Sequence, residues 1–185
     1  MKHQGTVILR TPRLVLRRLA LSDAELMYTN WAGDPAVTEH LSWPAHVSAQ
    51  ATAEYLSTVI PGYAANDCYL WAIELKIPGE PIGTVGVVGM DETIGEAEIG
   101  YCIGRPWWAQ GLMTEAASAV ADFLFSQVEI KRLVIKHASD NPASGAVARK
   151  LGMRHEGCLR QGIRTNQGLE DAEVWSLLTS DRITV

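Results

Sequence analysis

The stretch Arg105-Pro-Trp-Trp-Ala-Gln-Gly-Leu-Met-Thr-Glu-Ala-Ala117 constrains this chain more than any other part of it. A strand-like run, residues 96–103, precedes it, and a run with helical spacing, residues 112–125, follows it. Strand, glycine-containing turn and helix together build an anion site. The first N–H groups of a helix have no partner within it, and the helix dipole adds positive potential there. Gly111 removes the Cβ that would hold a ligand off the backbone. The turn therefore predicts a phosphate or pyrophosphate held by main chain. It is neither Gly-x-x-x-x-Gly-Lys-Ser/Thr nor Gly-x-Gly-x-x-Gly, so neither nucleotide signature applies. A strand–helix turn that binds nothing is the competing reading, and the turn alone does not decide between them.

The rest of the chain reads as alternating elements. Residues 13–19 form a strand. Ser22-Asp-Ala-Glu25 is a capping-box pattern that starts a helix through about Trp31. Asp34-Pro35 opens a helical turn, and Ser48 caps a helix over residues 49–60 that Pro61-Gly62 stops. Residues 69–76 and 81–90 are strands joined through Pro78-Gly79-Glu80. In the helix after the loop, Leu112, Ala116, Ala119, Val120 and Phe123 share one face. A buried strand at 133–137, a helix at 141–151 ended by Gly152, and strands at 153–163 and 169–178 complete the order. Such an order implies a mixed sheet covered by helices, of the α/β (α+β) class.

Bulk properties narrow the function. With 185 residues, 47% of them hydrophobic and 20% charged, the chain suits one soluble domain with a real core. No apolar run has the length of a membrane span and no signal-peptide pattern opens the chain, so the cytoplasm is the expected compartment and no membrane partner is expected. Cys68, Cys102 and Cys158 are odd in number and widely spaced, which suggests neither a disulfide framework nor a zinc site. His40, His46, His137 and His155 lack metal-ligand spacing and read as surface or packing residues, so no metal is expected. A net charge of −5 argues against direct nucleic-acid binding, yet does not identify a substrate.

Four ordered segments carry a family resemblance. Trp108-Ala-Gln-Gly-Leu-Met-Thr-Glu-Ala116 resembles the acyl-CoA pyrophosphate loop of the GCN5-related N-acetyltransferase (GNAT) superfamily. Thr11-Pro-Arg-Leu-Val-Leu-Arg-Arg18 resembles its opening strand, and Ala97-Glu-Ile-Gly-Tyr-Cys-Ile103 the strand before the loop. Asn141-Pro-Ala-Ser-Gly-Ala-Val-Ala-Arg-Lys-Leu-Gly-Met153, with Glu156-Gly157 after it, resembles the second CoA-side helix and its following strand. The match runs from about Thr11 to Arg182, and Trp108 is similar to the RimJ/RimL-type branch of ribosomal-protein N-terminal acetyltransferases. Met113 stands where the superfamily often has Gly or Ala, and its side chain would point inward to leave the N–H free.

The resemblance implies a single domain over residues 1–185, with a mostly antiparallel central sheet and acetyl-CoA as co-substrate. The pyrophosphate would rest on N–H groups of Trp108, Ala109, Gln110, Gly111, Leu112, Met113 and Thr114. The pantetheine would run along Ile99, Gly100, Tyr101 and Ile103, with an oxyanion-stabilising N–H near Ile99 or Gly100. Asn141-Pro is an N-cap and first helical residue in its own right; the resemblance adds a CoA contact. Ser144, otherwise a first-turn serine facing solvent, is implied as proton donor to the leaving thiolate. Tyr101 reads as core, with its hydroxyl a weaker acid candidate.

Glu98 shares a strand face with Gly100 and Cys102, where a cleft carboxylate serves as general base; a solvated charge is the other reading. In the family the matching glutamate looks towards the acceptor. Trp43 lies in the region that overhangs the acceptor in these enzymes. Arg160 and Asp171 fall where the branch often pairs the last two strands. The acceptor implied is a protein N-terminal α-amine of ribosomal-protein type. A small amine such as a polyamine, amino acid or aminoglycoside, a non-catalytic CoA sensor, and a homodimer all stay open.

Overall fold

The computed structural model describes residues 1–182, so the end of the expected domain, residues 183–185, lies outside the described residues. Eight strands form one sheet: β1 (Leu9–Arg10), β2 (Leu14–Arg17), β3 (Leu70–Leu75), β4 (Pro81–Asp91), β5 (Glu96–Ile103), β6 (Arg132–Ala138), β7 (Arg154–Thr165) and β8 (Gly168–Leu178). Their order is β1-β2-β3-β4-β5-β6-β8-β7, and every neighbouring pair is antiparallel except β5 with β6. The helices are α1 (Ala24–Met27), α2 (Pro35–Thr38), α3 (Ala49–Val59), α4 (Leu112–Phe123) and α5 (Pro142–Lys150). This is the mixed, mostly antiparallel sheet flanked by helices that the sequence implied.

Side-chain alternation along the strands divides the core in two. Trp71 and Ile73 of β3, with Ala97 and Ile99 of β5, pack beneath α4 and α5. Ala72 and Cys102 face the other way, under Met27, Trp31 and Leu56 of the first helical region. A sheet buried on both faces needs apolar residues at successive positions, which is why β3 and β6 read as near-continuous apolar runs.

One departure from regular pairing creates the site. β5 pairs with β6 only across Glu96, Ala97 and Glu98. Beyond that point β5 keeps β4 as its single neighbour through Ile103, and β6 keeps β8 through Ala138. The strands part like a wedge. Opposite the start of the split, the β4 register shifts between Val87 and Gly89, a bulge that bends the strand.

Two local expectations fail. Ser22 caps no helix; it lies inside a 3₁₀ turn, Leu21–Asp23, whose third residue, Asp23, reaches back to accept from the N–H of Ala20, the residue before the turn, at 2.8 Å. Asp23 is buried and held by two bonds from Arg17, so it is fixed where a free serine hydroxyl would not be. That region is also short α1 between a 3₁₀ turn and a wider π turn, rather than one helix. Nor do Arg160 and Asp171 pair. The β7 register shifts between Leu159 and Ile163, Arg160 is exposed, and Asp171 instead accepts from the Gln161 N–H at 2.8 Å.

Candidate active site

The loop between β5 and α4 has the geometry of an anion cradle. Gly111 precedes the helix with φ +75°, and Ala109 two residues earlier also sits in the left-handed region at φ +59°. A non-glycine residue held there stores strain, and such strain gathers at ligand-binding turns. Among the described residues, no hydrogen bond is donated by the backbone N–H groups of residues 109–114; the first intrahelical donor is Glu115, to Gly111. That run of free donors, ahead of a helix whose N-cap offers no side chain, suits a diphosphate.

Distant residues fasten the loop. Glu115 accepts from the Arg13 N–H at 2.9 Å, from Arg13 Nε at 2.6 Å and from Thr11 Oγ1 at 2.6 Å. Arg13 Nη1 also donates to the Gln110 carbonyl at 3.0 Å. Burial alone would push the Glu115 carboxyl up, but these bonds outweigh it and hold the group below its ordinary value. The opening Thr-Pro-Arg string thus does mechanical work on the loop. Met113 is buried at 7% exposure, with its side chain in the core and its N–H left free. Trp107 packs on the core, whereas Trp108 is 47% exposed and pins the end of β5 by donating to the Ile103 carbonyl.

Two cavities meet at the wedge. A groove of about 660 Å³ runs beneath the loop between Trp108, Thr114 and Val147. A cleft of about 600 Å³ lies on the opposite side, between Trp43, Tyr55, Glu98 and Arg164. His40, Leu41, Tyr101, Cys102, Asn141 and Ser144 line both. Of the residues expected at the cofactor, Tyr101, Ile103, Trp108, Ala109, Gly111, Leu112, Met113, Thr114, Asn141 and Ser144 border the groove. Ile99 and Gly100 border the cleft instead. The Gln110 side chain turns back to the Pro106 carbonyl, so its main chain alone is available to the groove.

At the seam, Ser144 Oγ donates to Tyr101 Oη at 2.9 Å, and Tyr101 Oη donates to the Ser144 carbonyl at 3.1 Å. Burial pushes the Tyr101 hydroxyl up to about 12, against a smaller opposing effect from Ser144. Asn141 accepts from the Ser144 N–H at 3.2 Å as the α5 cap. The same first turn rests on His137: a Cβ on Gly145 would lie 2.9 Å from His137 Nε2. That nitrogen accepts from Trp175 Nε1 at 3.1 Å while Nδ1 lies 2.8 Å from the Ala138 carbonyl, a pairing that selects the neutral Nδ1–H tautomer. Cys102 is buried beside Thr84, and burial pushes its thiol up, the opposite of an activated nucleophile.

In the cleft, Glu98 is joined to Lys136 Nζ at 2.6 Å. Lys136 was not anticipated: its signal, a lone cation in an apolar strand, acquires meaning only from the β5–β6 register. Asn166 was missed too. At the tip of the β7–β8 hairpin, its Nδ2 donates to the carbonyls of Thr38, Leu41 and Trp43, and its N–H to Leu41. It straps the 38–43 segment, and with it Trp43, over the cleft. His40, Asp140 and Glu170 bring donor atoms within 4.8 Å of one another at this seam, from three distant segments whose spacing gave no hint of it.

The base of the wedge is tied electrostatically. Arg132 donates to Glu96 at 2.7 Å and to Glu156 at 2.8 Å, joining β5, β6 and β7. Arg132, with Ser176, lowers the Glu156 carboxyl from 4.5 to about 2. A depressed carboxylate stabilises the fold above its unfolded value and ceases to do so as it is protonated. Stability should therefore decline from about pH 4.5 towards about pH 2, read as a falling urea midpoint. Glu156→Gln should flatten that part of the decline; an unchanged profile would remove this tie from the account.

Residues 13–154 match the family model described as "Acetyltransferase (GNAT) domain". The chain belongs to the GNAT acetyltransferases. It is 31% identical over 171 residues to the uncharacterized N-acetyltransferase YoaA of Bacillus subtilis (strain 168), covering 92% of this chain and 96% of that one. It is 32% identical over 97 residues to the ribosomal-protein-serine acetyltransferase of Escherichia coli (strain K12), covering 52% of this chain and 54% of that one. The solved RimL ribosomal L7/L12 α-N-protein acetyltransferase in complex with coenzyme A superposes with TM-score 0.81 at 24% identity, over 93% of this chain and 98% of that one. These likenesses fall on the RimJ/RimL-like branch, and the chain is an acetyl-CoA-dependent N-acetyltransferase. Among the described residues no helix is long and apolar enough to cross a membrane.

Proposed function

We propose that this GNAT enzyme acetylates a protein N-terminal α-amine of ribosomal-protein type, by direct attack on acetyl-CoA in a ternary complex. The observation that carries this is the meeting of two cavities at Ser144 and Tyr101, one beneath the free N–H groups and the other over Glu98. The likeness to a ribosomal-protein-serine acetyltransferase supports the acceptor class. The N–H groups of residues 109–114 hold the pyrophosphate, and the open edge of β5 past Glu98 aligns the pantetheine. Glu98, directly or through a water, takes the proton an ammonium must lose before it attacks. Much of the acceleration is positional.

Magnitudes decide the role of the hydroxyl pair. A free thiol titrates near 8.5, and Tyr101 at about 12 is the weaker acid. Full proton transfer to the thiolate would run uphill by roughly three units. Tyr101 therefore does not protonate the thiolate; the Ser144 hydroxyl steadies the leaving sulfur by turning its proton from Tyr101 Oη towards it, and the proton the thiolate takes up returns from the base or solvent.

Thermal unfolding with saturating acetyl-CoA tests the cofactor half, with NAD and ATP as controls. Ligand at about 100 times its dissociation constant adds ~2.7 kcal/mol, roughly 5–10 °C in a domain of this size. Thiol release with N-terminal peptides then tests the acceptor. No shift with acetyl-CoA would sink the cradle; a shift without turnover on any amine would leave a CoA sensor.

A further inference from the structure

The acceptor cleft has its charges on opposite walls. On its floor Glu98 and Lys136 neutralise each other at 2.6 Å, so an entering ammonium meets as much repulsion as attraction there. Asp67 stands just before β3, and Arg164 lies on β7; these strands fall on opposite sides of the β5–β6 split in the sheet order. Among the described residues neither Asp67 nor Arg164 has an ion-pair partner. Arg164 is not on a loose end. Thr165 beside it is buried, and Asn166 is bonded to the roof of the cleft at three carbonyls. Arg164 is exposed on this wall with its backbone held, and a guanidinium there without an internal partner is matched by a carboxylate, which its planar fork binds through two hydrogen bonds.

We propose that the acceptor carries a carboxylate close to its reacting amine, held by Arg164 while the amine lies at Glu98. This rests on the acetyl-transfer reading and narrows it. The carboxylate has two sources: the α-carboxylate of a free amino acid, or an acidic side chain next to a peptide N-terminus.

Matched pairs separate the sources. One arm compares free amino acids with their α-amides; the other compares C-terminally amidated peptides with Asp or Asn at the second position. Binding to the CoA-loaded full chain is measured by calorimetry, and turnover by thiol release. The acid member of one pair should bind about tenfold or more tighter and show a matching gain in kcat/KM. Arg164→Gln should bring that ratio near one, Arg164→Lys should keep part of it, and the acetyl-CoA thermal shift should persist in both. Equal binding within both pairs, or a ratio that survives Arg164→Gln, overturns the proposal. Because the ratio is read in binding, it stands or falls separately from acetyl transfer, which fails only if no amine releases thiol.

Discussion

Glu98→Gln should lower kcat for amine acetylation by about 10²–10⁴-fold while acetyl-CoA protects the chain against heat as before. The substitution keeps the shape and one acceptor oxygen for Lys136 Nζ, so packing around β5 and β6 is preserved. What it removes is the ability to take a proton. Glu98 borders the acceptor cleft and not the cofactor groove, which is why cofactor affinity should not move. Steady-state rates with a saturating N-terminal peptide, beside a thermal shift with acetyl-CoA, separate the two effects. Turnover within about twofold of the parent would dismiss Glu98 as the base and leave an ordered water or the substrate's own ionisation to do the work.

How far the sequence reached depends on how local each signal was. Gly111, the Asn141 cap and the Glu98 face are local: each follows from residue type and a spacing of two to four positions, and each stands where expected. The Ser144–Tyr101 pair spans 43 positions and Asn166 reaches back 123 to 128, so both need tertiary contact. Lys136 and Arg132 become readable only once β5 and β6 are set in parallel register. The Arg160–Asp171 pair failed because the bulge between Leu159 and Ile163 shifts the alternation on which a cross-strand guess depends. The Ser22 cap failed because the first turn begins one residue earlier, with Asp23, buried against Arg17, bonding back to the Ala20 N–H. The Thr11 and Arg13 string was readable as a family likeness, while its cause, the carboxylate of Glu115 a hundred residues later, was not.

Gly111→Val should weaken acetyl-CoA binding by about 10- to 100-fold, with the fold intact. Space is not the obstacle, since a Cβ here meets only Arg13 Nη2 at 3.7 Å. The backbone is. At φ +75° a β-branched residue is a severe outlier, and a conformation of that kind costs about 1–3 kcal/mol. The loop relieves the strain by leaving the left-handed region, which turns the N–H groups of residues 109–114 away from a common point. At about 1.4 kcal/mol per tenfold, a loss of that size gives the stated range. Ala109→Gly is the matched control. It releases a left-handed strain of ~1–2 kcal/mol against an unfolded-chain entropy gain of ~0.4–1 kcal/mol, so stability changes little and affinity is kept. Titration calorimetry with CoA on both variants, after circular dichroism has shown them folded, reads the difference. If Gly111→Val bound CoA as tightly as the parent, the pyrophosphate would not rest on this loop, and the free donors ahead of α4 would need another anion.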